Sequence, residues 1–162
     1  MLNSFSLKHA GYDAGPQWNA IGFSQLHDDG TGGQTSLSNF KLWPLRECPT
    51  FEQCPISIAE RKTLRVIKED GTSDDFGTPG YFATNLSTGI KVELTASRRT
   101  AMHRYTFPPK PEGNQPDWRP RIIVDITNDG QRSGYAAKVE IDPEAGRVKA
   151  SAIFRASFGR GT

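Results

Sequence analysis

The stretch Ile90-Lys-Val-Glu-Leu-Thr-Ala96 alternates apolar and polar side chains with a period of two. Successive side chains of a β-strand point to opposite faces, so this alternation indicates a strand that is buried on one face. The run before it, Tyr81-Phe-Ala-Thr-Asn-Leu86, has the composition of a second strand, and the intervening Ser87-Thr88-Gly89 suits a tight turn. The two runs therefore predict a β-hairpin.

Similar short runs occupy much of the remaining chain, and turn residues separate them at near-regular intervals. They lie at Lys62–Lys68, before the turn Glu69-Asp-Gly71, at Thr100–Phe107 and at Arg121–Thr127. No apolar pattern with helical spacing continues over three turns. We therefore predict an all-β fold, an antiparallel and supersandwich-like β-sandwich, with at least about seven strands and less than about a tenth of the residues in helix.

A further hairpin is predicted towards the end of the sequence. Its turn signal is Asp142-Pro-Glu-Ala-Gly146. The flanking runs alternate, which places a set of apolar residues on one face: Ala137, Val139, Ile141, Val148, Ala150, Ala152 and Phe154. We expect this face to point into the core.

Length and composition limit the possible classes of protein. The chain has 162 residues, which suits one domain, and its 35% hydrophobic and 23% charged residues are typical of a globular protein. No run approaches the roughly 18 apolar residues that span a bilayer, so we expect no membrane partner. The formal charge of +2 is spread along the chain without a basic stripe, so nucleic acid is not an expected partner either.

Two features favour an oxidising, secretory compartment. Cys48 and Cys54 are the two cysteines of the chain. Two ligands cannot form a structural zinc site, whereas their spacing suits a small disulfide loop worth roughly 2 kcal/mol; unpaired cytosolic thiols are the alternative. Asn85-Leu86-Ser87 is an N-glycosylation sequon. If Phe82, Thr84 and Leu86 face inward, Asn85 points to solvent, where a glycan would fit.

The most unusual segment is Ile21-Gly-Phe-Ser-Gln-Leu-His-Asp-Asp-Gly-Thr-Gly-Gly33. It combines an imidazole, two carboxylates and a hydroxyl with glycines that allow close approach of a ligand. Such groups can hydrogen-bond sugar hydroxyls, and Trp18 and Trp43 flank the segment as stacking surfaces. An ordinary surface loop is the alternative interpretation, and a calcium loop would need more carboxylates at alternate positions.

This segment, followed by Ser36-Leu-Ser-Asn-Phe40, resembles the fungal version of the amino-terminal domain of glycoside hydrolase family 92. Further blocks resemble that domain in the same order: Pro79-Gly-Tyr-Phe82, Gly89 to Thr95, His103-Arg-Tyr-Thr-Phe-Pro108, Ile122 to Ile126 and Ser157-Phe-Gly159. The resemblance covers residues 11–162, and residues 1–10 are expected to be a leader outside the family pattern. Gln25 replaces a histidine of the family pattern, and Asp29 replaces a serine.

The resemblance implies a part of an inverting, calcium-dependent exo-α-mannosidase, which hydrolyses mannose from N-glycans and related glycans. In such enzymes the catalytic acid, the base and the calcium ligands come from an α/α barrel that follows the β-sandwich. We therefore expect no catalytic residue, no metal ligand and no cofactor in this chain, and no activity without the missing barrel. We expect sugar contact through His27, Asp28, Asp29, Thr31 and Trp18.

Three functional alternatives remain open from the sequence. The first is the incomplete mannosidase, and the second is a free-standing carbohydrate-binding β-sandwich module. The third, a small hydrolase that uses His27, Asp28 and Asp29, lacks a second well-placed acid. The resemblance implies secretion, yet residues 1–10 contain neither the basic nor the apolar region of a signal peptide. We therefore expect additional chain upstream.

Four other polar residues receive structural interpretations. His103 lies mid-strand and is interpreted as a structural histidine. Asp74-Asp75 is interpreted as a solvated turn, and Glu93 and Asp125 as outward-facing strand residues that need no special explanation.

Overall fold

Twelve β-strands make up the regular structure in the described part of the chain. The computed structural model describes residues 2–4, 19–20, 22–24, 40–48, 50, 52–57, 60–61, 63–113, 119–126 and 134–154. The strands are β1 (Leu2–Ser4), β2 (Asn19–Ala20), β3 (Gly22–Ser24), β4 (Lys41–Leu45), β5 (Thr63–Leu64), β6 (Phe76–Thr78), β7 (Tyr81–Asn85), β8 (Lys91–Ala96), β9 (Ala101–Thr106), β10 (Arg121–Asp125), β11 (Gly134–Asp142) and β12 (Arg147–Phe154). No α-helix occurs among these residues, which confirms the all-β prediction.

Two four-stranded antiparallel sheets form the body of the domain. The first sheet has the order β1-β3-β4-β10 and the second has the order β6-β7-β8-β9. Strands β2 and β5 form a small separate pair, and β11 pairs with β12. Every pairing is antiparallel, in keeping with short connections between consecutive strands.

The hairpin predicted from residues 81–96 is β7–β8. Phe82 pairs with Leu94 and Thr84 with Val92. Its turn closes through a 2.8 Å hydrogen bond from the Gly89 N–H to the Leu86 carbonyl. Gly89 has a φ of 81°, in the left-handed region that a glycine adopts without steric cost. The turn residues therefore set the register that buries the apolar face.

The hydrophobic core lies between the two sheets. The second sheet and its β7–β8 turn supply Phe82, Leu86, Ile90, Val92 and Leu94, and the first sheet supplies Phe23, Trp43 and Leu45. The ring centroid of Phe23 lies 6.0 Å from that of Trp43 in its own sheet and 6.3 Å from that of Tyr105 in the other. Aromatic contacts at these distances join the sheets into one sandwich.

The disulfide between Cys48 and Cys54 is part of this core. Cys48 and Cys54 form a disulfide, with Cα atoms 5.1 Å apart, and both side chains are buried in the hydrophobic cluster. The loop between them therefore holds the chain that leaves β4 against the sandwich.

The run at Lys62–Lys68 forms less regular structure than predicted. Among the described residues of this run, only Thr63–Leu64 is a strand, paired with β2, and isolated bridges join Arg65 to Leu86 and Ile67 to Ser73. The turn that follows is present, with a 2.9 Å hydrogen bond from the Gly71 N–H to the Lys68 carbonyl.

The expected burial of the β11–β12 hairpin is wrong. The hairpin forms at the predicted turn, yet Val139, Ile141 and Val148 are 51%, 71% and 47% exposed. Ala137 is exposed, Ala150 and Ala152 are partly exposed, and the side chain of Phe154 lies outside the described residues. Alternation determines which residues share a face, whereas burial also requires another element to cover that face.

In the described part of the chain, no helix is long and apolar enough to cross a membrane.

Candidate functional site

A cavity of about 440 Å³ opens where the two sheets meet. This size lies within the roughly 300–1,000 Å³ range of small-molecule pockets. The first sheet contributes Ser24, Leu42 and Val124 to the lining, and Phe40 lies just before β4. The second sheet contributes the β8–β9 connection from Ala96 to Ala101, together with His103.

The cavity presents a hydroxyl and an imidazole in addition to charged groups. Ser24 is almost fully buried. The Nδ1 atom of His103 lies 2.8 Å from the Tyr105 hydroxyl oxygen, and burial lowers the pKa of His103 below its ordinary value. The lowered pKa favours the neutral imidazole, in which one ring nitrogen donates and the other accepts. Because Nδ1 contacts the Tyr105 hydroxyl, the ring cannot offer both roles to a ligand.

Among the described lining residues there is no carboxylate. Arg98 and Arg99 carry the formal charge of the lining, at the exposed turn between β8 and β9. Hydrolysis of a glycoside usually requires two carboxyl groups, one on each side of the scissile bond. The described lining therefore supplies neither the acid nor the base.

The predicted sugar-contacting residues Trp18, His27, Asp28, Asp29 and Thr31 all lie outside the described residues, and their role stays a prediction. The structure does describe the two residues that flank segment 25–39, Ser24 and Phe40, and both line the cavity. Phe40 has a φ of 56°, an uncommon value for a bulky residue. Such backbone strain often occurs at functional sites.

Sequence reasoning missed the contribution of the β8–β9 connection to the cavity. Ser97-Arg98-Arg99-Thr100 reads as an ordinary polar turn, and the Ser97 N–H closes it with a 2.8 Å hydrogen bond to the Thr100 carbonyl. The lining combines this turn with β3, β4 and β10, which are distant in sequence. A single sequence contains no direct signal of that proximity.

Asn85 lies at the end of β7, and its side chain is partly buried. Phe82, Thr84 and Leu86 face inward as predicted. The Nδ2 atom of Asn85 donates a 2.5 Å hydrogen bond to an Asp74 carboxylate oxygen. A glycan would be attached through the same nitrogen and would change this contact. Glycosylation of Asn85 stays a prediction.

The interpretation of Glu93 as an outward-facing strand residue is wrong. Its side chain is largely buried beneath Tyr81 and Arg104. Arg104 donates two hydrogen bonds of 2.7 Å to it, and the Tyr81 hydroxyl donates another of 2.7 Å. The Arg104 contacts, with that of Tyr81, lower the pKa of Glu93 to about 2. This cluster joins three adjacent strands and lies away from the cavity lining.

Two other acidic residues are also paired with buried arginines. Asp125 accepts a 2.7 Å hydrogen bond from Arg61. Asp75 accepts a hydrogen bond from Arg65. Both carboxylates are almost fully buried, so the expectation of an outward Asp125 and of a solvated Asp75 is wrong. Each partner lies in a different segment of the chain, and these ion pairs are structural.

The described residues do not fit a calcium site. Among them, no three His, Cys, Asp or Glu side chains lie close enough together to hold a metal ion. Calcium prefers six to eight oxygen ligands, usually including several carboxylates. The calcium that the resemblance implies would therefore need ligands from elsewhere.

These features define an antiparallel β-sandwich domain with a ligand-sized cavity and without a described catalytic pair. The chain matches the family described as the glycosyl hydrolase family 92 N-terminal domain over residues 4–162, and it belongs to that family. The resemblance read from the sequence blocks is thus confirmed. The match begins at residue 4, within β1, whereas the resemblance was expected to begin at residue 11.

A secreted glycosidase of Arthroderma benhamiae, itself uncharacterised, is 37% identical to the chain over 145 residues. The aligned region covers 89% of this chain but 18% of that relative, so the chain spans about a fifth of the length of the relative it matches. No solved structure matches the chain.

Proposed function

We propose that the chain is the amino-terminal β-sandwich of a secreted exo-α-mannosidase that releases mannose from N-glycans with inversion. The observation that carries this proposal is the family match over residues 4–162. The secreted glycosidase of A. benhamiae supports an extracellular glycan as the substrate class and secretion as the destination. The Cys48–Cys54 disulfide is compatible with an oxidising compartment.

The chain would bind the sugar without hydrolysing it. Inversion requires a general acid and a general base whose carboxyl groups lie roughly 6.5–9.5 Å apart. The described cavity lining contains no carboxylate, so these groups would come from the α/α barrel of the full-length enzyme. The calcium ligands would come from the same barrel.

The cavity at the sheet junction would receive the sugar. His27 is three residues after Ser24 in the sequence, and Ser24 lines the cavity. His27, Asp28, Asp29 and Thr31 would supply hydrogen bonds, and Trp18 would supply a stacking surface. The departures at Gln25 and Asp29 would alter which sugar hydroxyls are recognised.

An activity assay and a titration test the proposal together. Pure chain should not hydrolyse α-1,2-mannobiose, with or without calcium, because half of the catalytic site cannot position the reactants. Titration of the disaccharide into ¹⁵N-labelled chain should shift resonances of the 25–40 segment and of the cavity lining, with a Kd in the millimolar range. Turnover by the pure chain would refute the proposal that this chain binds the sugar while the barrel supplies the catalytic groups.

Two matched variants locate the bound sugar. Ala101 lines the cavity, whereas the adjacent Met102 is exposed and absent from the lining. Ala101→Trp should fill the cavity and abolish the shifts, while Met102→Trp should leave them unchanged. Equal responses of the two variants would place any sugar contact elsewhere.

A free-standing carbohydrate-binding module is the second candidate, because a cavity lined by hydroxyls, an imidazole and two arginines, with no carboxylate among its described residues, also suits binding alone. A module that functions by itself needs a more complete site than half of a catalytic cleft. A micromolar Kd for mannobiose would favour this function, whereas millimolar binding favours the mannosidase domain.

A further inference from the structure

The turn between β8 and β9 presents two positive charges to the cavity. Arg98 and Arg99 are the central residues of this turn, which the Ser97 N–H closes through its 2.8 Å hydrogen bond to the Thr100 carbonyl. Strands β8 and β9 pair up to the residues on either side of the turn. Both arginines line the cavity, so the backbone holds two guanidinium groups next to each other at its edge.

The described part of the chain does not neutralise these charges. Arg98 and Arg99 form no ion pair among the described residues, and the described lining contains no carboxylate. By contrast, Arg61, Arg65 and Arg104 are each paired with a carboxylate. Two adjacent charges of the same sign repel each other, and an anion that contacts both lowers the electrostatic energy. The turn is therefore suited to a ligand with a negative charge.

The opposite wall of the cavity suits an organic ligand rather than a bare ion. The first sheet and the residue before β4 present apolar side chains there, those of Leu42, Val124 and Phe40. The almost fully buried Ser24 adds a hydroxyl. Pockets for small molecules commonly combine apolar walls with a few polar groups that fix the orientation of the ligand. An inorganic anion would leave this wall uncovered, whereas a sugar ring can cover it.

We propose that the cavity selects a sugar that carries an oxyanion, either a carboxylate or a phosphate ester, and that Arg98 and Arg99 bind this anionic group. The inference rests on the proposed role of the cavity as a sugar site, and it narrows the ligand class to acidic glycans. The planar fork of a guanidinium group matches both kinds of oxyanion, because each offers two oxygen atoms to parallel N–H donors. The sugar ring then lies against the first sheet, and its anionic substituent points to the β8–β9 turn.

A matched pair of ligands tests the inference. Methyl α-mannopyranoside and methyl α-mannopyranosiduronate differ only in the replacement of the C6 hydroxymethyl group by a carboxylate. In titrations of the ¹⁵N-labelled chain at about 0.01 M ionic strength, the uronate should bind about tenfold more tightly and shift the Nε–H resonances of Arg98 and Arg99. At about 1 M salt, screening should remove most of this preference.

Two further ligands identify the anion. Tighter binding of mannose 6-phosphate than of the uronate would assign the site to a phosphate ester, and the reverse order would assign it to a carboxylate. Inorganic phosphate should bind more weakly than either sugar acid, because it does not contact the apolar wall. Equal affinity for inorganic phosphate would overturn the inference, since the sugar ring would then contribute nothing.

Two double variants with the same change of charge locate the anion. Arg98→Gln/Arg99→Gln should lower the affinity for the uronate to that for the neutral mannoside, and it should leave the neutral affinity unchanged. Arg119→Gln/Arg147→Gln removes the same charge from two exposed arginines outside the lining, so it should retain the preference for the uronate. Equal effects of the two double variants would show that the net charge of the chain, rather than the turn, attracts the anion.

The same titrations separate this inference from the proposed function. Equal affinities of the unmodified chain for the neutral mannoside and the uronate would overturn the inference and leave the sugar site in place. Absence of binding by every sugar would count against both. Uronate binding that appears only in Asp28→Asn/Asp29→Asn would assign Arg98 and Arg99 to carboxylates of the same chain, and it would also overturn the inference.

Discussion

Replacement of Asp125 by alanine should destabilise the domain strongly, because it removes one side of a buried ion pair. The Arg61 guanidinium is fully buried, and its Nη2 donates 2.7 Å hydrogen bonds to an Asp125 carboxylate oxygen and to the Ile56 carbonyl. The carbonyl satisfies a donor but does not neutralise the charge. Breaking a buried ion pair from one side typically costs about 3–5 kcal/mol.

The double variant Arg61→Met/Asp125→Leu should recover most of this loss, because it removes both charges and keeps apolar volume in their place. Such replacements are often neutral or stabilise by about 1–4 kcal/mol. The ion pair connects the segment after the disulfide loop to β10, across 64 residues of sequence. The comparison therefore separates the effect of the unpaired charge from the effect of the tertiary contact.

Urea unfolding followed by tryptophan fluorescence measures these differences. Trp43 is fully buried against Phe23, so its emission should change when the sheets separate. With a denaturant slope of about 2 kcal/mol/M, a loss of about 4 kcal/mol lowers the midpoint by about 2 M. Glu144→Ala, in the exposed β11–β12 turn, is the control and should change the stability by less than about 0.5 kcal/mol. An Asp125→Ala midpoint equal to that of the control, or a double variant as unstable as the single one, would refute the reasoning.

Three further predictions follow from the titratable groups and the disulfide. Arg104 and Tyr81 hold the pKa of Glu93 at about 2, below its ordinary value of 4.5. The contribution of Glu93 to stability is therefore present above pH 4.5 and is lost as the pH falls towards 2, so Glu93→Gln should flatten the dependence of the unfolding free energy on pH in this window, measured by acid denaturation. Burial lowers the pKa of His103, so an NMR titration should give a value below 6.5, and the stability of the domain should fall as the pH falls from 6.5 towards that lower value. Alkylation without reductant should add no mass to Cys48 or Cys54, and reduction should lower the free energy of unfolding by about 2 kcal/mol.

Local pattern was sufficient to predict the strands that form short-range hairpins. The alternation in β8 and the turn at Gly89 act within a few residues, and both appear in the structure as predicted. The same is true of the turn that joins β11 to β12. Period and turn chemistry are encoded in adjacent residues, so one sequence is enough to read them.

The pairing of polar residues could not be read in this way. Glu93 lies opposite Arg104 only because β8 and β9 pair in one particular register. Asp125 meets Arg61 from another segment of the chain, 64 residues away. An isolated carboxylate in an alternating strand gives no indication of such a partner, because its burial depends on tertiary packing that the pattern does not specify.

The cavity and the β11–β12 hairpin show that the surroundings of a strand, as well as its own pattern, decide the role of its side chains. The cavity presents hydroxyl, imidazole and guanidinium groups but no described carboxylate to activate water or to protonate a leaving group. The hairpin has an apolar face as regular as that of β8, yet Ile141 is 71% exposed where Val92 is buried. The first sheet packs against the apolar face of β8, so the same period of two gives a buried face in one hairpin and an exposed face in the other.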